Sequence, residues 1–484
     1  MAQRPLHYRS LSELSREIHA GRLSPVTLTE ALLSRISALD ERLHAFSQLI
    51  PERALAEARA AEAAIRGGRL LGPLHGIPYA AKDLFDVAGM PTTAGSRLLR
   101  GNMAVQDSAV TQRLAEAGMV LLGKTHMVEF AYGGAGINHV MGTPHNPWHS
   151  EPHLPGGSSS GSGVAVAAGL APMALGSDTG GSVRIPAALN GITGLKTTVG
   201  RVSRHGVFPL SYTLDSVGPL ARTVADAALV FQVLQGVDPR DATTRGVAPV
   251  DALAGLQRGV QGMRLGIAEG LFWEDVDAQV GAAVREAAAL FTGLGATVTS
   301  IEVPAAAEAM ALNRRGNVIA AEAYAIHRER IADHADEIDP IVLPRILLGR
   351  DMVAADYIDV VRAWTRLREE ALTQWDTLDA LLVPTTAAAA LPLSRVDGDL
   401  ETYMTHNVKY LRNTAVGNIL DWCGLSVPCG FTDQGLPIGL MIYGRPFAEA
   451  TVLRIGQAYQ EATEWHLRTP QLDWAGEDAR PPTG

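Results

Sequence analysis

Lysine is nearly missing from this chain: of 41 basic residues only Lys82, Lys124, Lys196 and Lys409 are lysines, and the other 37 are arginines. Cysteine is as scarce, with only Cys423 and Cys429 in 484 residues. That excludes a disulfide framework and makes a reducing cytoplasm the default expectation. Both cysteines sit before or within an apolar stretch at 425–430 and read as buried small hydrophobes, not nucleophiles. There is no long Lys/Arg run and the formal net charge is −10, which argues against a nucleic-acid or anionic-membrane partner. The longest apolar run, 164–176, is broken by Gly169 and Pro172 and is too short to cross a bilayer. Residues 1–10 contain no apolar core of the kind a signal peptide needs.

What is present is a globular composition, 47% hydrophobic and 19% charged. The length admits two or three domains, but neither a linker nor a repeat divides the chain. The reading is a single domain over 1–484 with a loose, polar, proline-containing tail at 471–484. Ser24-Pro25 marks a helix start, with apolar residues following at helical spacing to Leu43. Further amphipathic helices are expected near 52–66, 107–117, 222–235, 276–293, 305–333, 351–376 and 447–463. Strand-length apolar runs lie at 119–122, 264–267, 297–303, 380–383, 425–428 and 438–443. This alternation predicts an α/β sheet covered by helices.

Three stretches carry chemistry: Gly76-Ile-Pro-Tyr-Ala-Ala-Lys82-Asp83, Pro155-Gly-Gly-Ser158-Ser-Ser-Gly-Ser-Gly163, and Gly176-Ser-Asp178-Thr179-Gly180-Gly181-Ser182-Val-Arg184-Ile-Pro186. Neither a P-loop nor a dinucleotide fingerprint matches their glycine spacing, and no Ser-x-x-Lys pair occurs. Ser182 directly follows two glycines, where no side chain keeps a carbonyl group from the backbone. Successive amides there can converge on one oxygen, each donor contributing roughly 2.7–4 kcal/mol in a transition state. A serine nucleophile needs a base, and no histidine is near Ser182 in sequence. A lysine can serve only if burial makes it neutral; lowering its pKa from near 10.4 to about 8 costs roughly 3 kcal/mol. Lys82, after Tyr79-Ala80-Ala81, has suitably apolar neighbours.

Together these stretches resemble the amidase signature family, whose hallmark is a Gly/Ser-rich segment with G-G-S-S followed by D-x-G-G-S-x-R-x-P. The match over 155–186 is gapless, the catalytic signature region spans 72–200, and the resemblance runs from the helix after Ser24 to about Pro470. It implies the amidase signature fold, a central mixed β-sheet covered on both faces by α-helices. It further implies Ser182 as acyl nucleophile, Ser158 as bridging serine with a cis peptide bond, and Lys82 as ultimate base. Backbone amides of Thr179, Gly180, Gly181 and Ser182 would form the oxyanion hole, with Asp178 and Arg184 bracing the loop. Ala131, Tyr132 and Gly157 are the implied substrate contacts. Lys124 and Lys196 would be structural, Lys124 being the weaker rival for base. No cofactor or metal is implied. Five histidines fall within 126–153, but Pro144, Pro147 and Pro152 break any helix that would align them as ligands.

Within the family the sequence is similar both to general bacterial amidases and to the glutaminase component of glutamyl-tRNA amidotransferase, its A-type subunit. The latter binds glutamine through an arginine and an aspartate. Arg345 lies in the matching arginine region, but Leu411 falls where the aspartate would be. The expectation is therefore a free-standing cytoplasmic hydrolase of small to medium amides, anilides, carbamates or ureides. The alternative is the glutaminase component of an amidotransferase complex. The expected partner is a small-molecule substrate, with no nucleic acid, no membrane, and a homodimer left open.

Overall fold

The computed structural model describes residues 4–315 and 318–476. Eleven strands form one sheet: β1 (Phe46–Leu49), β2 (Pro78–Lys82), β3 (Val120–Thr125), β4 (Met173–Asp178), β5 (Thr193–Lys196), β6 (Ser216–Ala221), β7 (Arg264–Ala268), β8 (Thr297–Ile301), β9 (Ala380–Pro384), β10 (Cys423–Phe431) and β11 (Pro437–Gly444). Their order is β1-β3-β2-β4-β6-β5-β10-β11-β9-β7-β8. The sheet is mixed: β3, β2 and β4 run parallel, as do β9, β7 and β8, while the pairs between β4 and β9 are antiparallel.

Both faces are covered by helices, and the side-chain alternation of the central strands shows it. Leu382 of β9 and Leu440 and Ile442 of β11 belong to one apolar core, whereas Leu381, Val383, Met441 and Tyr443 belong to a second. A strand whose successive side chains enter two different cores is buried on both sides. The six strands expected from apolar runs are present with ends moved by a few residues. β1, β2, β4, β5 and β6 are not marked by the sequence pattern. The last four of these are buried along their whole length, so no polar alternation reveals them.

The expected helices also occur, beginning with Pro25–Leu43, capped by Ser24. The span expected as one helix at 305–333 comprises Pro304–Arg315 and Val318–His334. The sequence pattern leaves out Ser160–Ala167, Arg184–Asn190 and Leu400–Ile419, all of which support the site. The expected loose tail needs correction at its start: Leu472 and Ala475 are buried in the core, and Arg42 donates to the Trp474 carbonyl at 2.5 Å. The remainder of that span, 477–484, lies outside the described residues. Among the described residues no helix is long and apolar enough to cross a membrane.

Candidate active site

Parallel pairing of β2 with β4 sets the geometry. Ala80 and Ala81 register with Ala174 and Leu175, so Lys82 and Ser177 emerge together at the carboxyl ends of neighbouring strands, where open α/β sheets gather ligands. Lys82 Nζ lies 2.7 Å from Ser158 Oγ and 2.8 Å from Ser177 Oγ. Ser158 stands just before the helix Ser160–Ala167, and the Gly157–Ser158 peptide bond is cis. Burial drives the Lys82 amine down to about 7, although the charges of Asp215 and Asp178 oppose the shift. Lys82 is fully buried, so a neutral amine with a free lone pair is accessible near neutral pH.

Lys124 is excluded as a rival base by its position. Its Nζ is 3.4 Å from Asp83 and donates to Pro91 O and Thr92 Oγ1. Lys196 is equally committed, donating to the carbonyls of Thr197 and Trp422.

The segment after β4 turns sharply at Gly181, whose φ of +137° is in a region that L side chains rarely adopt and whose added Cβ would lie 2.2 Å from Thr414 Oγ1. Asp178 organises this turn. Its carboxylate accepts from Gly181 N at 2.8 Å and Val183 N at 3.1 Å. It also receives Arg184 through Nε at 3.0 Å and Nη2 at 2.9 Å. Arg184 donates onward to Tyr443 OH and Asn418 Oδ1, and Asn418 Nδ2 returns to Asp178. Burial opposes ionisation of Asp178, but the Arg184 charge and these hydrogen bonds hold its carboxyl well below the usual range.

One expected oxyanion donor is corrected by this arrangement. The Gly181 N–H is already given to Asp178 and is not free for a substrate oxygen. The N–H groups of Thr179, Gly180 and Ser182 meet no acceptor among the described residues. Ser182 Oγ also has no hydrogen-bond partner there, and Ser182 keeps 4% of its surface exposed on a cavity wall. Thr179 is held by its side chain, which donates to Asp215 Oδ1 at 2.6 Å.

Because Asp178 and Arg184 are both fully buried, removing one partner strands the other charge. Asp178→Ala is expected to destabilise the fold by about 3–5 kcal/mol, read as a lower midpoint in denaturant unfolding. An unchanged midpoint would contradict the bracing role.

Two cavities meet at this turn. The first, about 130 Å³, includes Ser182, Gly180, Tyr132, Arg345, Val408 and Leu411 on its wall. The second, about 240 Å³, is reached past Ser177 and shares Ala131, Thr179 and Leu210 with the first. Phe130 and Ala131 have φ of 52° and 61°, a left-handed conformation uncommon without glycine. Arg345 fixes the next residue, donating to the Tyr132 carbonyl at 2.6 Å and stacking 4.1 Å above its ring. Ala131 and Tyr132 are thus on a cavity wall. Gly157 packs against Gly136, donates to the Gly134 carbonyl, and is not among the lining residues.

The five clustered histidines go separate ways. His126 stacks on His44, His139 bridges Asp339 and Asp397, and His145 and His153 bond backbone carbonyls. His149 packs against the His153 ring. No group of three or more His, Cys, Asp or Glu among the described residues could hold a metal ion. Both cysteines are buried. Sequence reasoning gave no role to Ser177, Thr414, Asn418, Asp215 or Tyr443, although Ser177 lies within the third motif stretch and Tyr443 ends an expected strand.

Comparison with known proteins gives a consistent result. The family model described as Amidase matches residues 27–453. The chain is 40% identical over 489 residues to the A-type subunit of the glutamyl-tRNA(Gln) amidotransferase of Chloroflexus aggregans, covering 96% of this chain and 99% of that one. Native peptide amidase from Stenotrophomonas maltophilia superposes with a TM-score of 0.82 at 34% identity, over 97% of this chain and 100% of that one. A protein from a vestigial complex, described for the evolutionary origins of an s-triazine catabolic enzyme, superposes with a TM-score of 0.88 at 33% identity, over 94% of this chain and 98% of that one.

Proposed function

Since the chain belongs to the Amidase family, we propose that it is a serine amidohydrolase cleaving the C–N bond of small to medium amides, anilides, carbamates or ureides through an acyl-enzyme on Ser182. In this reading neutral Lys82 takes the proton of Ser158 Oγ, which takes that of Ser182 Oγ as the latter bonds to the carbonyl carbon. The carbonyl π pair moves to oxygen, where the free amides of Thr179, Gly180 and Ser182 receive it. Collapse breaks the C–N bond, and the proton returns along the same chain to the leaving nitrogen. Water then repeats the addition and releases the acid. Rotation of the Ser182 hydroxyl toward Ser158 closes the relay once substrate is seated, since hydrogen bonds at such sites tighten on binding.

The observation that carries a free-standing activity is the wall of the cavity that Arg345 lines. Met404, Val408 and Leu411 occupy it, and no acidic side chain among the described residues lines this cavity. An amino acid bound there would leave its ammonium group without a counter-charge, a penalty above about 1 kcal/mol. The second reading, the glutaminase component of an amidotransferase complex, is favoured by the name of the 40% identical relative. Purified protein alone is expected to hydrolyse p-nitroacetanilide or benzamide, with the rate unaffected by EDTA. Activity confined to glutamine in the presence of partner subunits would replace the first reading with the second. A loss in EDTA that a divalent cation restores would contradict the metal-free mechanism.

A further inference from the structure

The second cavity is not lined by Lys82, Ser158 or Ser182, and its chemistry selects a substrate half. Ser182 and Gly180 line the first cavity, whereas Ser177, which holds Lys82, lines the second. A scissile bond seated between Ser182 Oγ and the relay therefore runs from the first cavity toward the second. The leaving nitrogen must be on the relay side, because that is where its proton comes from.

The second cavity is walled by Val207, Phe208, Pro209, Leu210 and Val217, with Tyr212 at 62% exposure. Its charged side chains are all engaged. Arg204 is 3.7 Å from Asp241 and donates to the carbonyls of Tyr212 and Asp215. Arg240 is paired with Asp238 at 2.9 Å. Asp215 accepts from Thr179 Oγ1 and from the amides of Leu210 and Ser211. His205 is bonded to Gln106. The carboxylate outside an ion pair, Asp215, is already taken by three hydrogen-bond donors, with which a charged amine portion would have to compete. An apolar one would gain the burial of its surface. An apolar cavity of about 150 Å³ holds benzene, so 240 Å³ accepts a ring with a short linker.

We propose that this second cavity binds the leaving half of the substrate and that the amine released carries an uncharged aromatic ring. The inference rests on the amidase reading above. It narrows the substrate class to aryl and arylmethyl amides, carbamates or ureides, whose acyl part occupies the smaller cavity at Arg345 and Leu411.

The test compares the primary, N-methyl and N-benzyl amides of one short acid, which share a single acyl-enzyme. The expected result is a kcat/KM at least tenfold higher for the benzyl than for the methyl amide, with an identical deacylation rate. Phe208→Ala is expected to lower the benzyl-to-methyl ratio about tenfold. Tyr212→Ala, at an exposed position that a fold tolerates, should lower it by a smaller factor. Equal kcat/KM for the two amides, or equal losses for both in each variant, overturns the proposal while leaving the amidase reading intact. Hydrolysis of none of the three, with glutamine turned over beside partner subunits, overturns both.

Discussion

Ser182→Ala is expected to reduce kcat/KM by at least about 10⁴-fold while leaving the fold and its unfolding midpoint intact. Removing a nucleophile that works as part of a unit forfeits nearly the whole benefit of that unit, since the bridging and basic groups then have nothing to activate. The side chain is nearly buried, makes no hydrogen bond among the described residues, and lies beside unpartnered amides, so its loss breaks no structural contact. Mass spectrometry after treatment with a small sulfonyl fluoride provides a second readout. The wild-type peptide containing residue 182 should gain the sulfonyl group, and the variant should gain none. Labelling of the variant at Ser158 with retained turnover would move the nucleophile there.

The second large effect concerns Lys82. Its amine is the base only when unprotonated, and burial lowers its pKa to about 7. Activity should therefore rise with pH through about 7: about a tenth of the molecules are active one pH unit below that value and about nine-tenths one unit above. Lys82→Ala should lower kcat by roughly 10²–10⁴-fold and remove the rise. Lys82→Arg should be equally inactive, because a guanidinium stays charged. The groups facing the amine are Ser158 and Ser177, with Asp215 and Asp178 acting through charge. Abolishing the Asp215 charge should thus move the midpoint lower, because that charge now favours the ammonium form. A profile flat in the wild type and unchanged in Lys82→Ala would remove this lysine from the mechanism.

How much of this was legible beforehand depends on where the information is stored in the chain. The three signature stretches are contiguous, so Lys82, Ser158 and Ser182 could be singled out without coordinates. The amphipathic helices were readable because one face of each remains wet, and β9, β10 and β11, although buried almost throughout, because their apolar runs are continuous and rich in large or branched side chains. β2 and β4, which place Lys82 and Ser177 side by side, were not readable because they are short, small-residued and buried all round. The engagement of Gly181 N–H with Asp178 was also invisible: spacing makes four amides equivalent, and only the turn shows that one points inward. Apart from Ala131, Ser177 and Thr179, the second cavity is lined from 204–217 and 240–242, two segments separated in sequence that meet only through the fold. Arg345 and Leu411 were the exceptions among distant residues, because their alignment with functional positions suggested them before their place on the cavity wall was known.

The braced turn also bears on how the chain acquires its structure. Arg184 meets Asn418 and Tyr443 across 234 and 259 residues of sequence, and such distant pairings form late because a long loop must close first. During synthesis, which proceeds at about 5–20 residues per second, the polypeptide carrying Asp178 and Arg184 waits more than about ten seconds for these partners. Until then the guanidinium has only the nearby carboxylate, and the surrounding strands lack β10 and β11 as neighbours. A nascent chain arrested before Asn418 should therefore be sensitive to protease around 178–184, and protection should arrive only when Tyr443 has cleared the ribosome. The active centre is in this sense among the last parts of the molecule to become protected, even though its three signature stretches are translated in the first two hundred residues.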